Sequence, residues 1–191
     1  MSEPESTEPL PSPEEAVRTA DLLCSPGEVD AAFDRMARQI TGELADRNPV
    51  MLAVMIGGMI PAARLACRLD FPMDIDYAHA TRYQGDVRGH ELDWIAHPRE
   101  PLAGRTVLVV DDILDEGVTL AAIVAHCREQ GAASVYSAVL VDKVHDRKAA
   151  RGLERADFTG LTVPDRYVFG CGMDYRGQCR HLRGIYAVQG L

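Results

Sequence analysis

The stretch TVLVVDDILDEGVT, Thr106 to Thr119, decides how the rest of the chain is read. The apolar run Val107 to Val110 has the composition of a buried strand and passes directly into two carboxylates, Asp111 and Asp112. A short loop carrying Asp115, Gly117 and Thr119 follows, and then a helical pattern from Leu120 to Glu129. In open parallel sheets, ligands bind beyond the carboxyl ends of the strands. Loop N–H groups and a helix N-terminus at that position form an anion site. Gly117 allows close backbone approach, Thr119 can donate its hydroxyl, and the carboxylates can hold ribose hydroxyls or Mg²⁺. Two acids after a strand can also do no more than cap the next helix. A third acid, Asp115, and a glycine placed for a tight loop exceed what capping requires. No G-x-x-x-x-G-K-[ST] phosphate loop is present, and Gly170-Cys171-Gly172 lacks the third small residue of a dinucleotide fingerprint.

Outward from this stretch, strand and helix patterns alternate. Val29, Phe33, Met36, Ile40 and Leu44 recur at helical spacing behind Ser25-Pro26, a cap and first turn, and Asn48-Pro49 stops that helix. Val50 to Ile56 reads as a buried strand ending in Gly57-Gly58, and Met59 to Leu69 as a helix. Ile75 to Arg82 and a return through Trp94 read as strands, as does Ser134 to Val141. The pattern implies an α/β fold with a mostly parallel sheet flanked by helices. Residues 1–14, acidic and rich in Pro, Ser and Glu, read as a disordered tail, and residues 15–191 as a single domain.

Composition limits the function. Lys and Arg total 20 against 29 for Asp and Glu, a formal net charge of −9 that disfavours a nucleic-acid partner. It leaves room for small phosphate ligands held by backbone N–H groups. Five scattered cysteines with no C-x-x-C pair fit neither a disulfide framework nor structural zinc. The longest apolar run falls short of a membrane span, so no membrane partner is expected, and a cytoplasmic setting is.

VLVVDDILDEGVTL resembles the phosphoribosyl-pyrophosphate motif of the type I phosphoribosyltransferases, and the acid at Asp115 resembles the 6-oxopurine, hypoxanthine-guanine branch. That resemblance implies the type I fold with a small hood built from terminal segments. It also implies purine salvage, in which phosphoribosyl pyrophosphate and hypoxanthine or guanine give IMP or GMP and pyrophosphate with Mg²⁺. By it, Asp115 is the catalytic acid–base group near purine N7, and Asp111 and Asp112 hold the ribose hydroxyls. Asp115, Glu116, Gly117, Val118 and Thr119 cradle the 5′-phosphate, and Gly57 and Gly58 belong to the pyrophosphate loop, with a cis peptide expected at Met55-Ile56.

Val141-Asp142-Lys143 is similar to the family's purine-reading segment, with Lys143 as the reader. Pro164 to Gly170 is similar to the hood, with Tyr167 stacking on the purine and the Val168 backbone reading its edge. Met173-Asp174-Tyr175 and Arg180 resemble the late pair in which Asp174 binds Mg²⁺ and Arg180 the pyrophosphate. The metal set implied is Asp111, Asp112 and Asp174, and the assembly implied is a homodimer or homotetramer. Thr81 to Asp93 resembles a mobile lid.

Two positions depart from the family pattern. Glu116 stands where many relatives have Thr, so its N–H rather than its side chain is expected to serve the phosphate. Ile56 stands where several have Lys. The six histidines show no metal-ligand spacing and read as structural or surface residues. Two rival functions stay open: the same fold acting on xanthine, and a non-catalytic sensor of phosphoribosyl pyrophosphate, whose expected loss of Asp115 is not seen.

Overall fold

The computed structural model describes residues 10–82, 92–147 and 152–190. Helix α1 (Pro13–Thr19) and strand β1 (Asp21–Cys24) lead into the long helix α2 (Pro26–Leu44). Then follow β2 (Val50–Val54), α3 (Met59–Ala66), β3 (Asp74–Arg82), β4 (Leu92–Ala96), β5 (Thr106–Leu114) and α4 (Val118–Glu129). The chain closes with β6 (Ser134–Val144), β7 (Phe158–Pro164), β8 (Val168–Phe169) and β9 (Ile185–Ala187). None of the helices among the described residues is long and apolar enough to cross a membrane.

The main sheet runs in the order β4-β3-β2-β5-β6-β7. All its pairings are parallel except β3 with β4. Side chains alternate across a strand, and the apolar runs divide accordingly. Met51, Ala53, Leu108 and Val110 pack with Phe33, Met36 and Ile40 of α2 and Ala62 and Leu65 of α3. Val50, Leu52, Val107 and Val109 pack with Leu120, Ile123 and Cys127 of α4 on the other face. Both faces are therefore covered, which is why these strands are apolar without polar alternation.

This winding creates the crevice. The chain leaves β2 through α3 on one face and leaves β5 through α4 on the other. The loops after these neighbouring strands diverge, and the gap between them is the switch point at which α/β sheets bind ligands. A second sheet, β1-β9-β8, joins the two ends of the chain into a small antiparallel hood. Ala16 of α1, Phe169, Tyr175, Cys179 and Val188 form its own cluster.

The observed strands extend the sequence reading: β5 continues to Leu114, past both aspartates, and β6 to Val144. The reading of residues 1–14 as tail requires adjustment at its end. Ser12 caps α1, which starts at Pro13, and the Tyr175 hydroxyl donates to the Pro11 carbonyl at 2.8 Å. Residues 1–9 lie outside the described residues. So does most of the segment Thr81 to Asp93 read as a lid, whose ends Thr81 and Asp93 pair across β3 and β4.

Helix α2 opens with a capping box. The Glu28 N–H donates to Ser25 Oγ at 3.3 Å and the Ser25 N–H donates to Glu28 Oε2 at 2.8 Å. Ser25→Ala removes one side of that exchange, expected to cost ~1 kcal/mol and to lower Tm by about 2–4 °C in a domain of this size. A thermal melt checks this, and an unchanged Tm contradicts it.

Candidate active site

The crevice between the ends of β2 and β5 is a cavity of about 260 Å³. Gly57, Asp111, Asp112, Asp115, Glu116, Gly117, Thr119 and Arg180 line it, with Val54, Met55, Ala80, Ile113, Leu114 and Leu120. Among the residues singled out from sequence, Gly58, Val118, Lys143, Tyr167, Val168 and Asp174 are not part of that lining. Gly58 and Val118 adjoin lining residues in the chain, Lys143 reaches the lining through Asp115, and Asp174 reaches it through Arg180.

The β2–α3 loop lies hard against β5. A Cβ on Gly57 would overlap the Asp112 carboxylate, and a Cβ on Gly58 would overlap the carbonyls of Val110 and Val54. The Met55-Ile56 peptide is cis, as expected. From the hood side Gly172, at φ +113°, presses on the same point: a Cβ there would lie 2.5 Å from the Gly57 carbonyl and 2.9 Å from the Asp112 Cβ. Three glycines thus allow three separate segments to meet around one aspartate.

Asp112 is nearly buried, at 8% exposure, and its Oδ1 accepts the Ile113 N–H at 2.7 Å. Asp111 Oδ1 accepts the Asp112 N–H at 2.9 Å. Burial pushes both carboxyls above the usual carboxylate range, and for Asp111 the charge of Asp112 adds to it. Arg180 offsets part of this. Its Nη1 lies 3.8 Å from Asp112 Oδ2 and donates to the Gly172 carbonyl at 2.6 Å, while its Nη2 pairs with Asp174 Oδ1 at 2.7 Å. Asp174 Oδ2 accepts the Gly177 N–H at 2.7 Å. Arg180 therefore ties the hood to the end of β5.

The other wall is the loop into α4. Gly117 is the N-cap at φ +78°, with no side chain capping the helix. A Cβ on Gly117 would overlap the Leu153 backbone, and the Gly117 carbonyl accepts the Leu153 N–H at 3.0 Å. The loop is thereby braced from behind, and the positive end of the α4 dipole points to the cavity side.

Asp115 stands at the rim, 39% exposed, and both its oxygens are engaged. Lys143 Nζ donates to Oδ2 at 2.9 Å, and His145 Nε2 lies 2.6 Å from Oδ1. Burial alone would raise this carboxyl. The hydrogen bonds from Lys143 and His145, with the Lys143 charge, outweigh it and hold Asp115 below the usual range. Of the histidines, read from sequence as structural or surface residues, His145 has a side chain 2% exposed and bonded to the candidate catalytic acid, a contact the sequence reading did not single out. β6 ends at Val144, and the bend that follows it carries His145 back to Asp115 beside Lys143.

In the hood, Tyr167 is 41% exposed and meets Tyr175 edge-on at 5.4 Å. Val168 is buried at the start of β8, and the Val188 N–H donates to the Tyr167 carbonyl at 2.9 Å. Among the described residues, no three His, Cys, Asp or Glu side chains converge into a ready-made metal cluster. Asp111 and Asp112 share the cavity, whereas Asp174 approaches it through Arg180.

A doubly wound sheet with a glycine-lined, acid-rimmed anion crevice at its switch point defines a domain built for phosphorylated ligands. Residues 26–176 match the family model described as the phosphoribosyl transferase domain, and the chain belongs to that family of pentosyltransferases. It is 31% identical over 162 residues to hypoxanthine-guanine phosphoribosyltransferase of Streptococcus pneumoniae, covering 84% of this chain and 88% of that protein. It is 29% identical to the hypoxanthine-guanine-xanthine phosphoribosyltransferase of Tritrichomonas foetus, over 84% of this chain and 87% of that one. A bifunctional protein TilS/HprT of Listeria innocua is 32% identical over 84% of this chain, a match that spans 24% of the longer relative. Among solved structures, a hypoxanthine phosphoribosyltransferase from Staphylococcus aureus superposes with TM-score 0.81 at 25% identity, covering 88% of this chain and 91% of that chain.

The raised Asp111 carboxyl gives a stability prediction. A carboxyl that holds its proton more tightly when folded stabilises the fold below the unfolded pKa of about 3.9, and that contribution is lost as pH rises through the folded value. At neutral pH the ionised group therefore costs stability. Asp111→Asn is expected to melt higher than wild type at pH 7, the gain vanishing below about pH 4. Melting curves across pH check this, and an equal or lower Tm at pH 7 contradicts it.

Proposed function

We propose that the protein transfers the 5-phosphoribosyl group from phosphoribosyl pyrophosphate to hypoxanthine or guanine in purine salvage, giving IMP or GMP and pyrophosphate. The observation that carries this reading is Asp115 at the cavity rim, joined to Lys143 and lying directly before the Gly117 anion loop. A site that only bound a sugar phosphate would have no use for a third carboxylate paired with a lysine. The names of the S. pneumoniae and S. aureus relatives support the purine acceptor.

In this reading the 5′-phosphate sits in the loop from Asp115 to Thr119, on backbone N–H groups at the start of α4. Asp111 and Asp112 together receive the ribose 2′- and 3′-hydroxyls, and the loop at Gly57 and Gly58 receives the pyrophosphate with Arg180. The purine lies between Tyr167 and the end of β6, its edge facing the Val168 backbone, with Lys143 donating to O6. Purine N9 forms the new bond to the anomeric carbon as the bond to pyrophosphate oxygen breaks. The proton on N7 passes to Asp115, which is ionised in the resting site and so suited to accept it. Positive charge building on the ribose is favoured by the nearby carboxylates.

The donor set fits Mg²⁺ on its chemistry. Asp111, Asp112 and Asp174 offer hard oxygen atoms without a closed cage, which suits an ion that keeps water and substrate oxygens as its remaining ligands. When bound, Mg²⁺ supplies charge neutralisation to the leaving pyrophosphate. A homodimer or homotetramer in the cytoplasm completes the proposal. Ile56, Met59, Ile75 and Tyr77, all exposed, with Met59, Ile75 and Tyr77 lining one shallow apolar groove, support such an assembly.

Two experiments test this. Asp115→Asn is expected to lower kcat by roughly 10²–10⁴-fold, the usual share of acid–base catalysis; more than half of wild-type kcat would remove Asp115 from the role. A spectrophotometric panel with hypoxanthine, guanine, xanthine and adenine is expected to show negligible adenine turnover. Lys143 donates, and a donor cannot face an exocyclic amine without leaving both unpaired. Adenine turnover comparable to hypoxanthine sinks the reading. Turnover of xanthine alone would favour the activity that the T. foetus relative's name includes.

A further inference from the structure

Asp115 has two partners, and they differ in what substrate binding would do to them. Lys143 holds Oδ2 at 2.9 Å but is the group assigned to purine O6. Once it turns to the purine, it leaves Asp115 or shares itself. His145 holds Oδ1 at 2.6 Å and has no such second task. Its side chain is 2% exposed, against 39% for Asp115, so it approaches from the protein side of the carboxylate rather than from the cavity.

The ring's proton can be placed from its other bond. The Arg147 N–H donates to His145 Nδ1 at 2.9 Å. A nitrogen that accepts a hydrogen bond carries no proton, so the ring proton is on Nε2 and points at Asp115. Arg147 is itself anchored: its Nη2 pairs with Asp165, just beyond the end of β7. Among the described residues, the charged groups tied to the pair are Lys143, bonded to Asp115, and Arg147, whose backbone holds His145 and whose guanidinium pairs with Asp165. The line Asp165, Arg147, His145, Asp115 spans the ends of β7, β6 and β5. A carboxylate whose second bond is fixed in this way keeps its position when the first partner moves.

We infer that His145 is a positioning residue for Asp115, a fixed Nε2–H donor that keeps the carboxylate aimed at the purine while Lys143 is drawn to the substrate. The inference rests on the phosphoribosyl-transfer reading and adds to it a residue outside the cavity lining. Removing the donor has two consequences. The ionised carboxylate loses a hydrogen bond that favours it, so its proton affinity rises and the acidic limb of the rate profile moves to higher pH. Asp115 also swings, so kcat falls more than KM changes.

The test contrasts His145→Gln with His145→Leu. A Gln amide nitrogen reaches about as far as Nε2 and still donates, whereas Leu fills similar space without a donor. In the full-length enzyme with the accepted purine, His145→Leu is expected to lose about tenfold in kcat, the size of one hydrogen bond to a charged group. Its acidic limb in kcat/KM is expected to move up in pH. His145→Gln should keep kcat within about threefold and leave the limb in place. In the Asp115→Asn background, His145→Leu should add little, because it acts through the group already removed. A Leu variant that melts normally and matches wild type in kcat and limb overturns the inference, as do equal losses in Gln and Leu.

Two readouts hold without turnover. The Asp115 carboxyl ¹³C shift should titrate at higher pH in the Leu variant than in wild type. The His145 ring nitrogens of wild type, read by ¹⁵N NMR, should show the Nε2–H tautomer; an Nδ1–H ring overturns the inference even if no variant folds. Wild-type protein that transfers no phosphoribosyl group to any purine of the panel would instead remove the transfer reading itself, a result separate from the His145 tautomer and the Asp115 titration.

Discussion

The constraint on which the site depends is the seating of the Asp112 carboxylate between Gly57 and Gly172. A carboxylate at 8% exposure must be satisfied by close polar neighbours, because burial penalises its charge. Here the neighbours are the Ile113 N–H, the Arg180 guanidinium and the two glycine backbones that no side chain holds apart from it. Any Cβ on Gly57 would displace that carboxylate, and one on Gly172 would push the hood away from the β2 loop. The end of β5, the loop between β2 and α3 and the hood are thus locked together at one point, and the cavity is the space left beside it. The raised proton affinities of Asp111 and Asp112 record the cost of placing two acids there. Such a cost is retained where function requires the groups.

Around this point the sheet supplies rigidity and the loops supply chemistry. β2 and β5 are paired in parallel from Val50 with Val107 to Ala53 with Val110, with every one of these residues buried. Their connections depart to opposite faces, so the crevice follows from the topology and not from any single side chain. The contrasting carboxylates follow from local surroundings. Asp112 is buried and Asp111 half-buried beside it, and both are pushed toward their neutral form, whereas Asp115 meets a lysine and a histidine and is held below the usual range. Acids pushed in opposite directions within one site mark different tasks.

Much of the fold was legible because its signals are local. The unbroken apolar runs at Val50 and Val107 announce strands buried on both faces, and Ser25-Pro26 with the helical spacing from Val29 to Leu44 announces α2. The hood was legible only through family resemblance. β8 has two residues and β9 three, too short for any periodicity, and they exist because β1 from the other end of the chain pairs beside them. α1 was hidden for the same reason, its start held by Tyr175 from a distance of 164 residues. In the site, Asp111, Asp112, Asp115 and Gly117 fall within one short motif and were read together. Lys143 was found, yet its pairing with Asp115 was not, since a contact between strand ends 28 residues apart leaves no local trace. His145 was passed over because metal spacing was the pattern sought, while its contact with Asp115 depends on a strand that runs three residues beyond Val141, to Val144, and on the bend after it.

The most direct test of the account is a crystal structure of the protein with IMP. The 5′-phosphate should lie on the backbone N–H groups from Asp115 to Thr119, the ribose hydroxyls against Asp111 and Asp112, and purine O6 within hydrogen-bond reach of Lys143. Purine N7 should face Asp115. IMP bound with its phosphate outside the Gly117 loop, or with its base away from Lys143 and Asp115, would contradict the account at its centre.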